Sequence, residues 1–144
     1  MQRALCLIIS ALACLSTSAA ALAYCDQHPT VQQEFAISRL VFIARVTSAR
    51  EVRVRSKSAT GGMIYGVQAV ESLKGKPPVT LALYSENSSG RFPMQIGTRY
   101  LVFVRHQTFE GIREQQWFID NCGNSAPLRE ASKTLAAVRR LTKT

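Results

Sequence analysis

Two histidines, four cysteines and nine acidic residues are the side chains from which this 144-residue chain would have to assemble a reaction centre. His28 and His106 stand far apart and in no metal-binding spacing. A general base needs a positioned histidine or a carboxylate with a partner. Asp26, Asp120 and the glutamates form no local pair, so any pairing has to come through the fold. Gly-x-Ser-x-Gly, His-Glu-x-x-His and phosphate-loop motifs are absent from the sequence. The cysteines, at 6, 14, 25 and 122, include no Cys-x-x-Cys and have no nearby histidine pair, which is poor zinc-ligand spacing. The expectation is a protein with no catalytic centre, no metal and no cofactor.

What positions these residues begins with the N-terminus. Arg3 precedes the run Ala4 to Leu15, apolar except for Ser10, and Ala21-Leu22-Ala23 has the small-x-small form of a signal-peptidase site. Residues 1–23 therefore read as a removable export leader, and 24–144 as one domain. An uncleaved anchor and a lipid-modified Cys14 are the alternatives. Cleavage leaves Cys25 and Cys122, which in an exported chain most simply pair with each other. A periplasmic or extracellular location follows. Apolar content of 47% against 19% charged excludes a disordered chain, and the length suits a single packed core.

Thr30 and Gln33 have capping-box spacing, which predicts a short helix with Val31 and Phe35 on its buried face. Leu40 to Val46 is β-branched and aromatic, and Leu40, Phe42, Ala44 and Val46 share one side. The same strand continues through Arg50 to Lys57. Met63–Ser72, Val79–Tyr84, Tyr100–Arg105 and Gln116–Asp120 supply four more strands, the turn at Ser58–Gly62 separating the first two. A helix is expected from Asn124–Pro127 onward, with Leu128, Ala131, Leu135, Val138 and Leu141 as its apolar stripe. Five short strands and a terminal helix predict an all-β fold with flanking helices: a five-stranded OB-like barrel with a C-terminal α-helix.

The order of these features resembles the netrin-like modules, and within them the tissue inhibitors of metalloproteinases. Residues Phe35 to Val46 look like that family's short helix entering its first strand. Leu73-Lys74-Gly75 is similar to its strand end, Gly97 to Phe103 to its Gly-x-x-Tyr-Leu-Val-Phe strand, and Cys122 with Pro127 to Ala131 to the late Cys and helix of bacterial members. The resemblance implies an OB-type barrel that docks onto another protein. Animal members begin with Cys-x-Cys, the first Cys chelating the target's zinc. Here Ala23 stands in its place and Cys25 stands as the second Cys. The family's Cys-Gly after the third strand, the tether of that first Cys, is Ser89-Gly90 here. Both halves of that bond are missing together, which weakens the metalloprotease-inhibitor reading and leaves Cys25–Cys122.

Two surfaces are candidates for contact. In the resembled family the N-terminal segment and the loop after the third strand form a docking ridge, here Tyr24, Cys25, Asp26, Asn87, Ser88 and Ser89. This ridge implies a protein partner, with a metalloprotease as one candidate. The second surface is cationic: Arg50, Arg53, Arg55 and Lys57, joined by Lys74 and Lys76 on one basic face. A net charge of +9 draws anionic partners, and in the envelope these are lipids or glycans rather than nucleic acid. The alternative reading of the chain is thus a basic envelope-associated module.

Overall fold

The first strand is the one around which the others are ordered. The computed structural model describes residues 25, 27–53, 61–88, 90–108 and 117–143. The expected leader at 1–23, residues 54–60 and residues 109–116, which take in most of the turn expected before the fifth strand, lie outside them.

Thr30 caps helix α1 (Val31–Ile37), and the Thr30–Gln33 box forms as the spacing predicts. Strands β1 (Leu40–Val52), β2 (Gly62–Lys74), β3 (Thr80–Glu86) and β4 (Arg99–His106) follow, then two short ones, β5 (Trp117–Phe118) and β6 (Ala126–Pro127), and helix α2 (Ser132–Leu141). The strand order is β1-β2-β3-β5-β4-β6, and β1 also pairs with β4. The pairings β1–β2, β2–β3, β3–β5, β5–β4 and β4–β1 therefore run in a ring. All are antiparallel except β3–β5. The protein is mostly β-sheet, in a ring-like arrangement with a short C-terminal helix.

Alternation along the strands sorts the core. Leu40, Phe42, Ala44 and Val46 face inward with Tyr65, Val67, Leu83, Tyr100, Val102 and Val104. Val41, Leu101 and Phe103 face outward, and α1 and α2 cover them with Val31, Phe35, Ala131, Leu135 and Val138. β1 is thus buried on both faces along its first half. Gly75 ends β2 at φ +73°, a conformation that favours glycine, and a Cβ there would stand 2.7 Å from the Arg39 carbonyl oxygen.

Three expectations are corrected. The last helix starts at Ser132, not at Asn124–Pro127. Pro127 lies opposite Tyr100 in β6, whose outward backbone groups need no proline N–H. Of the expected fifth strand, Gln116 lies outside the described residues, and β5 ends at Phe118 rather than Asp120 because the chain leaves the sheet there to reach Cys122. The loop expected at Ser85–Gly90 begins later: Ser85 and Glu86 belong to β3. The buried Ser85 hydroxyl accepts a hydrogen bond from the Phe92 N–H at 2.7 Å.

Leu83 is wholly buried at the centre of the inner core. Leu83→Ala should cost about 2–5 kcal/mol, read from the shift in the urea-unfolding midpoint.

Candidate functional site

The stretch from Ile119 to Asn124 gathers the chain's polar and covalent ties. The Ile119 N–H donates to the Tyr84 carbonyl at 2.9 Å, and the Asn121 N–H to the Gly90 carbonyl at 2.8 Å. Cys122 is bonded to Cys25 across 97 positions, with the Cα atoms 5.5 Å apart. This disulfide points to an oxidising environment rather than the reducing cytoplasm. Among the described residues no helix is long and apolar enough to cross a membrane.

Glu34 anchors the next two residues. It is a charged side chain on α1 with only 7% of its surface exposed. Val31, Glu34 and Phe35 fall at i, i+3 and i+4, so the carboxylate shares the buried face of the helix. It accepts hydrogen bonds from the Asn124 backbone N–H and, at 2.7 Å, from the Asn124 side-chain amide. That amide also donates to the Pro29 carbonyl at 2.9 Å. Gly123 is needed for this approach, since a Cβ there would stand 2.0 Å from the Glu34 carboxylate. Arg105 is ion-paired with Asp120, which also accepts from the Cys122 N–H at 2.9 Å.

A small cavity of about 150 Å³ lies among these groups, lined by Glu34, Arg105, Asp120, Cys122 and Gly123 together with Gln27, Pro29 and Ile37. The fold therefore brings Glu34 and Asp120 to one cavity, a meeting that local sequence did not signal. Both are already engaged, Glu34 by Asn124 and Asp120 by Arg105 and the Cys122 backbone. Their arrangement works as a clasp on the disulfide loop. Burial pushes the Glu34 carboxyl above the ordinary carboxylate range. The Asn124 bonds pull it back, the Asp120 charge adds to the rise and the Arg105 charge offsets it.

The histidines lie elsewhere. His28 is exposed, and His106 meets the Trp117 ring edge-on at 5.6 Å between centroids. Among the described residues no three His, Cys, Asp or Glu side chains come together as a metal group.

Of the expected ridge, Cys25, Asn87 and Ser88 are described; Tyr24, Asp26 and Ser89 lie outside the described residues. Asn87 is exposed and accepts from Arg91, while its own N–H donates to the Gly61 carbonyl at 2.7 Å. Ser88 holds the turn, its hydroxyl accepting from the Gly90 N–H at 3.2 Å and its carbonyl from the Arg91 N–H at 3.1 Å. Cys25 and the 87–90 turn are both tied to residues 120–122, the first by the disulfide and the second by the Asn121–Gly90 bond.

The expected basic face divides. Val41 pairs with Lys74 and Arg50 with Ile64, so Lys74 and Arg50 stand at opposite ends of the β1–β2 ladder. At about 3.3 Å per residue this is most of the ladder's length. Lys74 is half-buried. Its ammonium donates to the Phe35 and Ala36 carbonyls at the end of α1 and lies 4.9 Å from the Phe35 ring centre. Lys76 is exposed beside it. Arg53 pairs with Glu51 at 3.3 Å. Arg55 and Lys57 lie outside the described residues.

Compared with known proteins, the chain matches no family model and no curated sequence at a significant level.

The clasp has a pH signature. The Glu34 carboxyl is raised, so its protonated form is the one the fold favours. That contribution is complete below the ordinary glutamate pKa and is lost as pH rises through the folded value. The wild-type protein should therefore lose stability relative to Glu34→Gln across that window and hold a constant difference above it. Denaturant unfolding of both proteins from about pH 4 to about pH 8 checks this. Replacing both Cys25 and Cys122 by Ser should cost about 4–5 kcal/mol for a loop of this size in the chain-entropy account, measured the same way.

Proposed function

We propose that this chain is an exported, non-enzymatic OB-like docking module of the netrin-like kind, related to the tissue inhibitors of metalloproteinases. It presents a ridge of Tyr24, Cys25, Asp26, Asn87, Ser88 and Ser89 to a protein partner. The single observation that carries the reading is the shared anchorage of the two ridge segments. Cys25 is covalently joined to Cys122, and the Gly90 carbonyl accepts from Asn121 one residue earlier. The strand order and the parallel β3–β5 closure also suit an OB-type ring.

The clasp supports a docking role in a second way. The polar groups that hold the 119–124 stretch are spent on backbone, on the Asn124 amide or on an opposite charge. Cys25, Asn87 and Ser88 beside it are thereby held before a partner arrives, which lowers the ordering cost of binding. Metalloprotease inhibition is a subordinate form of this reading. The position of the chelating Cys is Ala23, which leaves with the leader, so the ridge would press on a target surface without a cysteine at its zinc.

The test immobilises the oxidised protein and captures partners from envelope extract. The Asn87→Ala/Ser88→Ala variant should lose the main captured protein by roughly tenfold or more, as for substitution at the centre of an interface. The far-ultraviolet circular dichroism of the variant should match that of the wild type. Unchanged capture of every partner would remove the ridge from the proposal.

A further inference from the structure

The outer face of the β1–β4 pair carries Val41 opposite Phe103, then Ile43 opposite Leu101, then Arg45 opposite Arg99. The first two pairs are buried, Val41, Leu101 and Phe103 directly under the helices. The third pair is exposed. Directly opposed side chains in an antiparallel pair stand about 5 Å apart at Cβ, and like charges there are destabilising. A carboxylate beside them would relieve the repulsion. Among the described residues neither Arg45 nor Arg99 has one within ion-pairing distance.

The register extends this pair into a row. Arg45 is opposite Gln68 on β2, and Gln68 is opposite Thr80 on β3. Thr80, Gln68, Arg45 and Arg99 are all exposed, so four strands present a polar line with two guanidinium groups and no acid. Beyond Arg99, a shallow groove of about 300 Å³ runs between Arg99 and Arg129 over Pro127 and Leu128.

Exposed aliphatic side chains border the row. Among the described residues, four large hydrophobics are strongly exposed: Ile37, Val70, Val79 and Ile96. Three of them stand here. Val70 lies two residues along β2 from Gln68, and Val79 directly precedes Thr80. Ile96 sits in the turn whose Gly97 N–H donates to the Val46 carbonyl at 2.8 Å, next to Arg45. Arginine forks match phosphate oxygens bidentately, and aliphatics around a cationic centre suit the boundary between headgroups and acyl chains. Val70 and Val79 line one open groove together, and Ile96 stands in the turn beside Val46, so aliphatic surface flanks the guanidinium pair as a headgroup–acyl boundary requires.

We propose that the Arg45–Arg99 row is a membrane-docking site that binds the phosphate headgroups of anionic phospholipids, with Ile96, Val70 and Val79 at the interface. It is separate from the ridge: the row crosses β3 at its first residue, whereas the ridge loop follows its last.

The test is sedimentation of the disulfide-bonded protein with vesicles of phosphatidylglycerol and, separately, of phosphatidylcholine. The wild type should bind the anionic vesicles only, and less as salt rises. Arg45→Gln/Arg99→Gln should lower the partition coefficient by roughly 30-fold, as expected for two cations at an anionic surface. Arg140→Gln/Lys143→Gln makes the same charge change at the end of α2 and should lower it far less. Ile96→Ser should weaken binding to the anionic vesicles without altering the salt slope. Equal loss in the two double variants would reduce the effect to net charge and overturn the site. Absence of wild-type binding would overturn it directly. Polyglutamate bound by the wild type and not by Arg45→Gln/Arg99→Gln, with vesicles ignored by both, would assign the row to an acidic protein instead.

Discussion

The double pairing of β1 is the constraint on which the rest of the structure depends. Over its first half this strand has β2 on one side and β4 on the other, and apolar side chains buried on both of its faces. A one-residue slip would exchange Phe42 and Ala44 with Val41, Ile43 and Arg45. It would bring the Arg45 guanidinium into the core and undo the seat of both helices. Register is strongly specified under such conditions. The helices then cover what β1 and β4 leave outward, the turn of 95–98 is fixed against Val46, and β3 is held to β5 to complete the ring.

The ring closes through β5, and the ties around 119–124 hold the chain where it leaves that strand. Among the described residues β5 pairs through Trp117 and Phe118. Its exit is held by Ile119 on Tyr84, Asn121 on Gly90, Asp120 on Arg105, the disulfide, and Asn124 on Glu34. The last of these carries a cost, because burial disfavours the Glu34 charge more than the Asn124 amides favour it. A buried ionised group is weak evidence for stability, but removing its partner leaves it stranded. The bonds it makes are specific in position, and what they specify is where the disulfide loop lies against α1. This geometry gives the covalent bond a fixed orientation instead of a mere loop closure.

Much of this was legible because it is local. The Thr30–Gln33 box needs only four residues, and alternation in Leu40–Val46, Tyr65–Ala69 and Tyr100–Val104 exposes its own inward face. The parts that were not legible are non-local. β6 is two residues long and exists only because Tyr100 and Leu101 offer it an edge. Pro127 therefore looked like the first residue of a helix that actually begins five positions later. Glu34 finds its partner 90 residues away, and the only sequence clue was an acid set within the apolar stripe of Val31 and Phe35, with a glycine after Cys122. The ridge was reached through resemblance, not through any pattern of its own residues.

Charge shows the same division most sharply. Along the sequence, Arg50, Arg53, Arg55 and Lys57 form the dense cluster, and Lys74 and Lys76 are grouped with it by type. In the fold, Arg53 has Glu51, while Lys74 is spent on the carbonyls at the end of α1 and on the Phe35 ring. Those cations are near in sequence or alike in type, yet two of them, Arg53 and Lys74, are already engaged by what they touch. Arg45 and Arg99 are 54 positions apart and unremarked by any run of charge, but the ladder sets them face to face. Electrostatic potential depends on distance in space and on compensation. Register supplies the first, and the absence of a neighbouring carboxylate among the described residues leaves the second unmet. The charge that remains for a partner is thus decided by the pairing of β1 with β4, the same pairing that seats the core.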